Sequence, residues 1–130
     1  MIHLDADIVI AYLNGNRDIA RRLRFATPDV AISAIVLAEL LYGAGKSSKP
    51  AENLTEIQKF LQFIAVAPFD TACAEIFATL KIELHRKGKP TGSEDTLIAA
   101  TAIAHGADLV THNTRHFKNI SGLKLQDWLS

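Results

Sequence analysis

The sequence predicts an α/β protein, with a mostly parallel sheet of roughly five strands covered by helices on both faces. Short apolar runs suited to buried strands alternate with longer segments whose apolar residues recur at helical spacing, the pattern of β-α-β crossovers. In addition, Asp5, Glu39, Asp95 and Asn113 stand near strand ends or in the helices that adjoin them. An open parallel sheet gathers its reactive groups on that rim, beyond the carboxyl ends of its strands.

The elements follow in order. Residues 2–4 read as a strand, followed by a helix over about 6–14 that Asn14-Gly15 stops, and a second over about 16–26 that carries Arg17, Arg21, Arg22 and Arg24. Thr27-Pro28-Asp29 breaks that helix. Residues 30–32 form a second buried strand, and Ser33 is placed to cap a helix over about 34–44. Leu54, Ile57, Phe60, Leu61 and Ile64 keep helical spacing across about 50–64, and residues 65–67 give a third strand. A helix over about 70–87 aligns Cys73, Ile76, Phe77, Leu80 and Leu84 on one stripe and stops at Gly88. After the turn Lys89-Pro90-Thr91-Gly92, Thr91 and Glu94 have the spacing of a capping box for a helix that runs to His105 and stops at Gly106. Residues 109–110 give a fourth strand and 123–128 an edge strand. With no internal repeat, linker or low-complexity stretch, a single domain over residues 1–130 is expected.

Composition narrows the function classes. The hydrophobic fraction of 48% belongs to a folded chain, and no apolar run reaches the roughly 18 residues that cross a bilayer. The start Met1-Ile2-His3-Leu4-Asp5 lacks the basic and apolar regions of a signal peptide, so a cytoplasmic protein with no membrane partner is expected. Lys+Arg and Asp+Glu are both 14, a balance that argues against indiscriminate attraction to nucleic acid. Local clusters remain, at Arg17 to Arg24 and at Lys81, His85, Arg86, Lys87 and Lys89. The lone Cys73, on an apolar stripe, reads as a buried structural thiol.

Asp5, Glu39 and Asp95 brought together would repel one another, so at least one keeps its proton unless a divalent cation sits among them. Other motifs fit less well. Asp5-Ala6-Asp7-Ile8-Val9 after a strand resembles the first motif of haloacid-dehalogenase-type phosphatases, with Asp5 as nucleophile and Ser33 as a second motif. That family's last motif is an acidic pair closing a strand, whereas Glu94 and Asp95 open a helix. Gly43-Ala44-Gly45-Lys46-Ser47 lacks the first glycine of a phosphate-binding loop, since position 40 is Leu40, and it ends a helix. His3, His85, His105, His112 and His116 show no paired spacing on one helix, so no zinc site is predicted.

Four ordered segments make a wider match: Leu4-Asp5-Ala6-Asp7-Ile8, Ser33 to Ala44, Asp95-Thr96-Leu97-Ile98-Ala99-Ala100, and Thr111-His112-Asn113-Thr114-Arg115-His116-Phe117. Together they resemble the PIN-domain ribonucleases, and within them the VapC toxins of bacterial toxin-antitoxin pairs. The resemblance implies a three-layer α/β/α fold and an endoribonuclease dependent on Mg2+ or Mn2+, acting on structured RNA such as transfer or ribosomal RNA. It implies Asp5, Glu39 and Asp95 as the acidic set and Asn113 at the fourth position. Hard cations prefer oxygen ligands, and Mg2+ takes one or two carboxylates directly, best assigned to Asp5 and Asp95, with Glu39 orienting a water.

This chain has Asp5-Ala6-Asp7 where many relatives have Asp-Thr-Asn, so Asp7 is either an added carboxylate supporting the site or a solvent-facing charge in the first turn of its helix, where a helix N-terminus favours negative charge. The uncharged Asn113 favours one ion over two. Ser33 and Thr111 are the hydroxyls expected to support the ligands, with Ser33 equally suited to capping. Arg115, His112 and His116 are candidates for RNA phosphates. Tyr42 and Trp128 are candidates to stack on bases, but both are expected to be buried against neighbouring helices. The resemblance further implies a homodimer and a VapB-like antitoxin, through which alone DNA is contacted. Ile8, Ile10, Leu13, Leu37, Leu40 and Leu41 are candidates to line its groove. A PIN-like module that binds RNA or protein without catalysis is the other alternative to the nuclease.

Overall fold

The computed structural model describes residues 1–129. Five strands form one sheet in the order β3-β2-β1-β4-β5, every adjacent pair parallel. They are β1 (Ile2–Leu4), β2 (Val30–Ser33), β3 (Ala65–Ala67), β4 (Asp108–Val110) and β5 (Leu125–Gln126). Between them run helices α1 (Ala6–Leu13), α2 (Arg17–Ala26), α3 (Ala34–Gly45), α4 (Pro50–Phe60), α5 (Thr71–Arg86), α6 (Ser93–Ala104) and the short α7 (Thr114–Phe117). This is the expected three-layer α/β/α arrangement around a parallel sheet.

Burial explains the strand order. All four residues of β2 are buried, as are Leu4 in β1 and Leu109 and Val110 in β4, so these strands suit central positions covered on both faces. The edge strand β3 leaves Ala65 and Val66 exposed, and β5 is only half buried. The core runs from Leu4, Ile8 and Ile32 through Phe60, Ile98 and Leu109 to Phe117. Gly106, at φ +66, closes α6: its N–H bonds the Ile103 carbonyl at 3.1 Å and the Ala107 N–H bonds Ala102 at 2.8 Å, a glycine stop.

Several expectations are corrected. The capping box does not form, because α6 begins at Ser93 with Gly92 as its cap residue and no side-chain cap bond. Thr91 then lies outside the cap, and Asp95, not Glu94, occupies the third helical position. Helix α4 stops at Phe60, where a turn over 61–63 brings Ile64 back onto the core. The edge strand shrinks to Leu125–Gln126, and Trp128 folds inward, its indole N–H bonded to Gln126 Oε1 at 3.1 Å. Tyr42, expected inside, is 70% exposed. Ile8 belongs wholly to the core. Among the described residues no helix is long and apolar enough to cross a membrane.

Candidate active site

The chain adds β2 and β3 on one side of β1, then returns to add β4 on the other. The reversal falls between β1 and β4, and a crevice forms beyond the carboxyl ends of strands at such a point. Asp5 follows β1 directly and caps α1, its Oδ1 accepting from the Ala6 N–H at 2.8 Å. Its other oxygen accepts from the Thr111 hydroxyl, also at 2.8 Å, just past β4. Thr111 therefore ties the ends of the two strands together. Its Oγ1 also accepts from the Asn113 N–H at 3.1 Å, which holds the exposed Asn113 close to the same centre.

Glu39 comes from the middle of α3 and Asp95 from the first turn of α6. The charge of Asp95 acts on Asp5 and that of Asp5 on Glu39, although these carboxylates do not form one of the close donor groups, with ligand atoms within 4.8 Å of one another, among the described residues. Burial raises the Asp5 carboxyl above the usual range, with further upward pushes from Asp7 and Asp95 that the bonds from Thr111 and Ala6 oppose. Burial, then the Glu94 carboxylate, then Asp5, drive Glu39 up to about 7, and a carboxyl–carboxyl hydrogen bond joins it to Glu94. Asp95 is raised by burial, against the pull of His116, whose Nδ1 is 3.3 Å from Asp95 Oδ2. One side of the molecule thus carries a set of carboxylates that hold their protons more tightly than ordinary acids do. Such a set fits a hard divalent cation, because every donor is oxygen and the charge is what the protein alone fails to offset.

Asp7 lies beside this set. Its Oδ2 accepts from the His112 N–H at 2.9 Å, while its Oδ1 is buried with no hydrogen-bond partner among the described residues. Ser33 is the cap of α3, its Oγ accepting from the Val36 N–H at 3.1 Å. The His112 ring turns to Asp127 Oδ2 at 3.1 Å, so its backbone, not its imidazole, meets the acidic centre. Arg115 and His116 line a polar cavity of about 320 Å³ with Asp95, Thr91, Gly92 and Asn119. On the far side of Glu39, the exposed Tyr42 and Lys46 border a shallow recess with Glu94, the Lys46 ammonium 4.8 Å from the Tyr42 ring centre.

Sequence reasoning missed two participants. Glu94 was assigned to a cap that does not form, although its place beside Asp95 at a helix start is a usable signal. Nothing in the sequence pointed to Asp127, because only the folded C-terminal segment brings it to His112. A different donor group, Asp70, Cys73 and His105, has ligand atoms within 4.8 Å of one another and is also spaced to hold an ion.

An apolar groove of about 290 Å³ opens beside Glu39, lined by Ile10, Leu13, Leu40, Ala44 and Ile57 together with Glu56. Of the groove candidates, Ile10, Leu13 and Leu40 line it, whereas Leu37 packs against the core and Leu41 is exposed elsewhere.

The sequence pattern of the PIN domain family matches residues 2–123. A tRNA(fMet)-specific endonuclease VapC from Shigella flexneri is 37% identical over 126 residues, 96% of each chain. Ribonuclease VapC2 from Rickettsia felis is 43% identical over 99 residues, covering 76% of this chain and 74% of that protein. Among solved structures, VapBC2 of Rickettsia felis bound to a DNA fragment from its promoter superimposes with a TM-score of 0.92 at 37% identity, over 98% of this chain and 99% of that one. DNA-bound VapBC of Salmonella typhimurium gives 0.93 at 36% identity, with the same coverage.

Proposed function

Because this chain belongs to the PIN domain family, among its VapC-type members, we propose that it is a Mg2+- or Mn2+-dependent endoribonuclease and the toxin of a VapBC-type pair. The observation that carries this reading is the grouping of Asp5, Glu39, Glu94 and Asp95 on one rim, where burial raises Asp5, Glu39 and Asp95 and neighbouring carboxylates add to each: Asp7 and Asp95 to Asp5, Glu94 and Asp5 to Glu39, and Glu94 to Asp95. Asp5 and Asp95 would hold the cation, Glu39 would orient the attacking water, and Asn113 would offer a neutral carbonyl oxygen. The ion, when bound, offsets charge developing on the phosphoryl oxygens and eases loss of a proton from water.

The chain's own residues do the rest. Thr111 pins one Asp5 oxygen and leaves that atom a further lone pair for a ligand. Asp7 anchors the loop after β4 through the His112 N–H and keeps Asn113 on the rim. Ser33 holds the start of the helix that presents Glu39. Arg115 and His116 meet phosphates flanking the cut, with His112 at the margin, and the exposed Tyr42 offers a face for an unstacked base.

The substrate class is structured RNA, transfer or ribosomal. A single domain over 1–130, a cytoplasmic location and a homodimer complete the proposal. A VapB-like antitoxin in the groove beside Glu39 contacts DNA on the pair's behalf. The phosphatase alternative finds no support, since Glu94 and Asp95 stand in the first turn of α6 and not at a strand end.

The test uses protein purified free of antitoxin. Internal cleavage of RNA with Mg2+ or Mn2+ should vanish with chelator and fall by about 100-fold or more in Asp95→Asn, the loss expected when a metal's charge stabilisation is removed. Release of phosphate from phosphomonoesters without RNA cutting would instead favour the phosphatase. RNA binding without cutting would leave only a binding module.

A further inference from the structure

The start of α5, the end of α6 and the middle of β1 bring together a second set of metal-binding side chains. Asp70 caps α5, its Oδ1 accepting from the Cys73 N–H at 3.1 Å and its other oxygen belonging to an exposed residue. Cys73 Sγ, fully buried, is 3.8 Å from His105 Nε2. One donor atom each from Asp70, Cys73 and His105 lies within 4.8 Å of the other two. The independent observation is His3. Its ring centre is 5.7 Å from that of His105, the residue is only 2% exposed, and its Nδ1 is buried with no partner among the described residues. Folded proteins seldom leave a buried ring nitrogen unsatisfied, and a bound ion is one of the standard ways of satisfying it.

We propose that Asp70, Cys73 and His105, completed by His3, form a binding site for a Zn2+-type ion, separate from the acidic centre. The donor chemistry selects the metal: thiolate and imidazole suit Zn2+, whereas Mg2+ and Mn2+ prefer the all-oxygen set at the other site. The spacing agrees. Zn–S and Zn–N bonds of about 2.3 and 2.05 Å at a tetrahedral angle place sulfur and nitrogen about 3.6 Å apart. The observed 3.8 Å needs only a small contraction. Asp95 and His105 are ten positions apart on the helix, or about 15 Å along its axis, so the two sites do not share an ion.

Loading the site is balanced in protons. Without metal, the Pro68 carbonyl lies 3.1 Å from His105 Nε2 and 3.6 Å from Cys73 Sγ and accepts from both. On binding, the thiol proton goes to solvent, the His105 proton moves from Nε2 to Nδ1 by exchange with solvent so that Nε2 faces the ion, and the Pro68 carbonyl turns to water. His3 stands just outside the three-residue group and brings its free Nδ1 in by turning its ring. Asp70, on the surface, marks the way in. The ion then clamps the α5–α6 hairpin to β1. Histidine spacing along single helices gives no hint of this, because the donors come from three separate elements.

The experiment takes the full chain stripped by chelator and titrates it with Co2+ and with Zn2+. One Co2+ per chain is expected to give thiolate charge-transfer absorption, and Zn2+ at a hundredfold excess over its Kd to raise Tm by about 10 °C. Both signals should persist in Asp95→Asn, disappear in Cys73→Ala and His105→Gln, and show at least about tenfold weaker affinity in His3→Gln. Since His105 is only partly buried, His105→Gln keeps the core intact and decides the matter if Cys73→Ala misfolds. Absence of a thiolate band, binding unchanged in His105→Gln or His3→Gln, or loss of the signals in Asp95→Asn would overturn the proposal. None of these readouts depends on RNA cleavage.

Discussion

At the scale of single residues, Glu39 registers the like-charge crowding most clearly. Burial and then Glu94 raise it from 4.5 to about 7. Between those values the folded chain holds this proton and the unfolded chain does not. The protonated carboxyl therefore stabilises the fold fully below about 4.5, and that contribution is lost as pH rises through about 7. In chelator, the Tm of the parent protein is expected to fall relative to Glu39→Gln as pH goes from 4.5 to 7, read by thermal melts at matched pH. A constant gap between the two would show that Glu39 is not held in its acid form. His3 works with the opposite sign. Burial first, then the His105 charge, depress it from 6.5 to about 4, so its contribution is present above 6.5 and lost as pH falls through 4. The windows overlap, which is why the variant comparison and not the raw pH profile isolates Glu39. Asp5 and Asp95 were legible in the sequence because each sits at an element boundary. Glu94 was not, since one residue of helix register decides whether it caps α6 or meets Glu39.

At the scale of elements, the site depends on three helix starts: α1 at Asp5, α3 at Ser33 and α6 at Gly92. The first two carry side-chain caps, and α6 has none. Helix α3 presents Glu39 on its second turn, so its cap bears directly on the acidic centre. Ser33→Ala is expected to cost about 1 kcal/mol, seen as a lower urea midpoint at unchanged m-value. An unchanged midpoint would show that packing alone seats the helix. The short strands and their order of burial followed from apolar runs, because a central parallel strand needs apolar residues on both faces. The edge strand β5 was overestimated for a local reason: Trp128 and Asp127 satisfy themselves through side-chain bonds to Gln126 Oε1 and the Leu129 N–H, and these end the ladder.

At the scale of the whole molecule, the sheet's reversal between β1 and β4 builds the centre, and the groove beside Glu39 gives a partner access to it. In the proposed complex, an antitoxin segment in that groove would bury Ile10, which is 49% exposed. Ile10→Glu is expected to weaken antitoxin binding about tenfold or more by calorimetry while the free protein still cuts RNA. Unchanged affinity would move the docking site elsewhere. The sequence by itself determined the alternation of strands and helices and the expectation that Asp5, Glu39, Asp95 and Asn113 share one rim, because periodicity and boundary chemistry are local properties of a chain. Tertiary structure alone decided that Thr111 bonds Asp5, that Glu94 shares a hydrogen bond with Glu39, and that His3 lies beside His105, Cys73 and Asp70. Those contacts join residues far apart in sequence, and only the packing of one element on another fixes which of them meet.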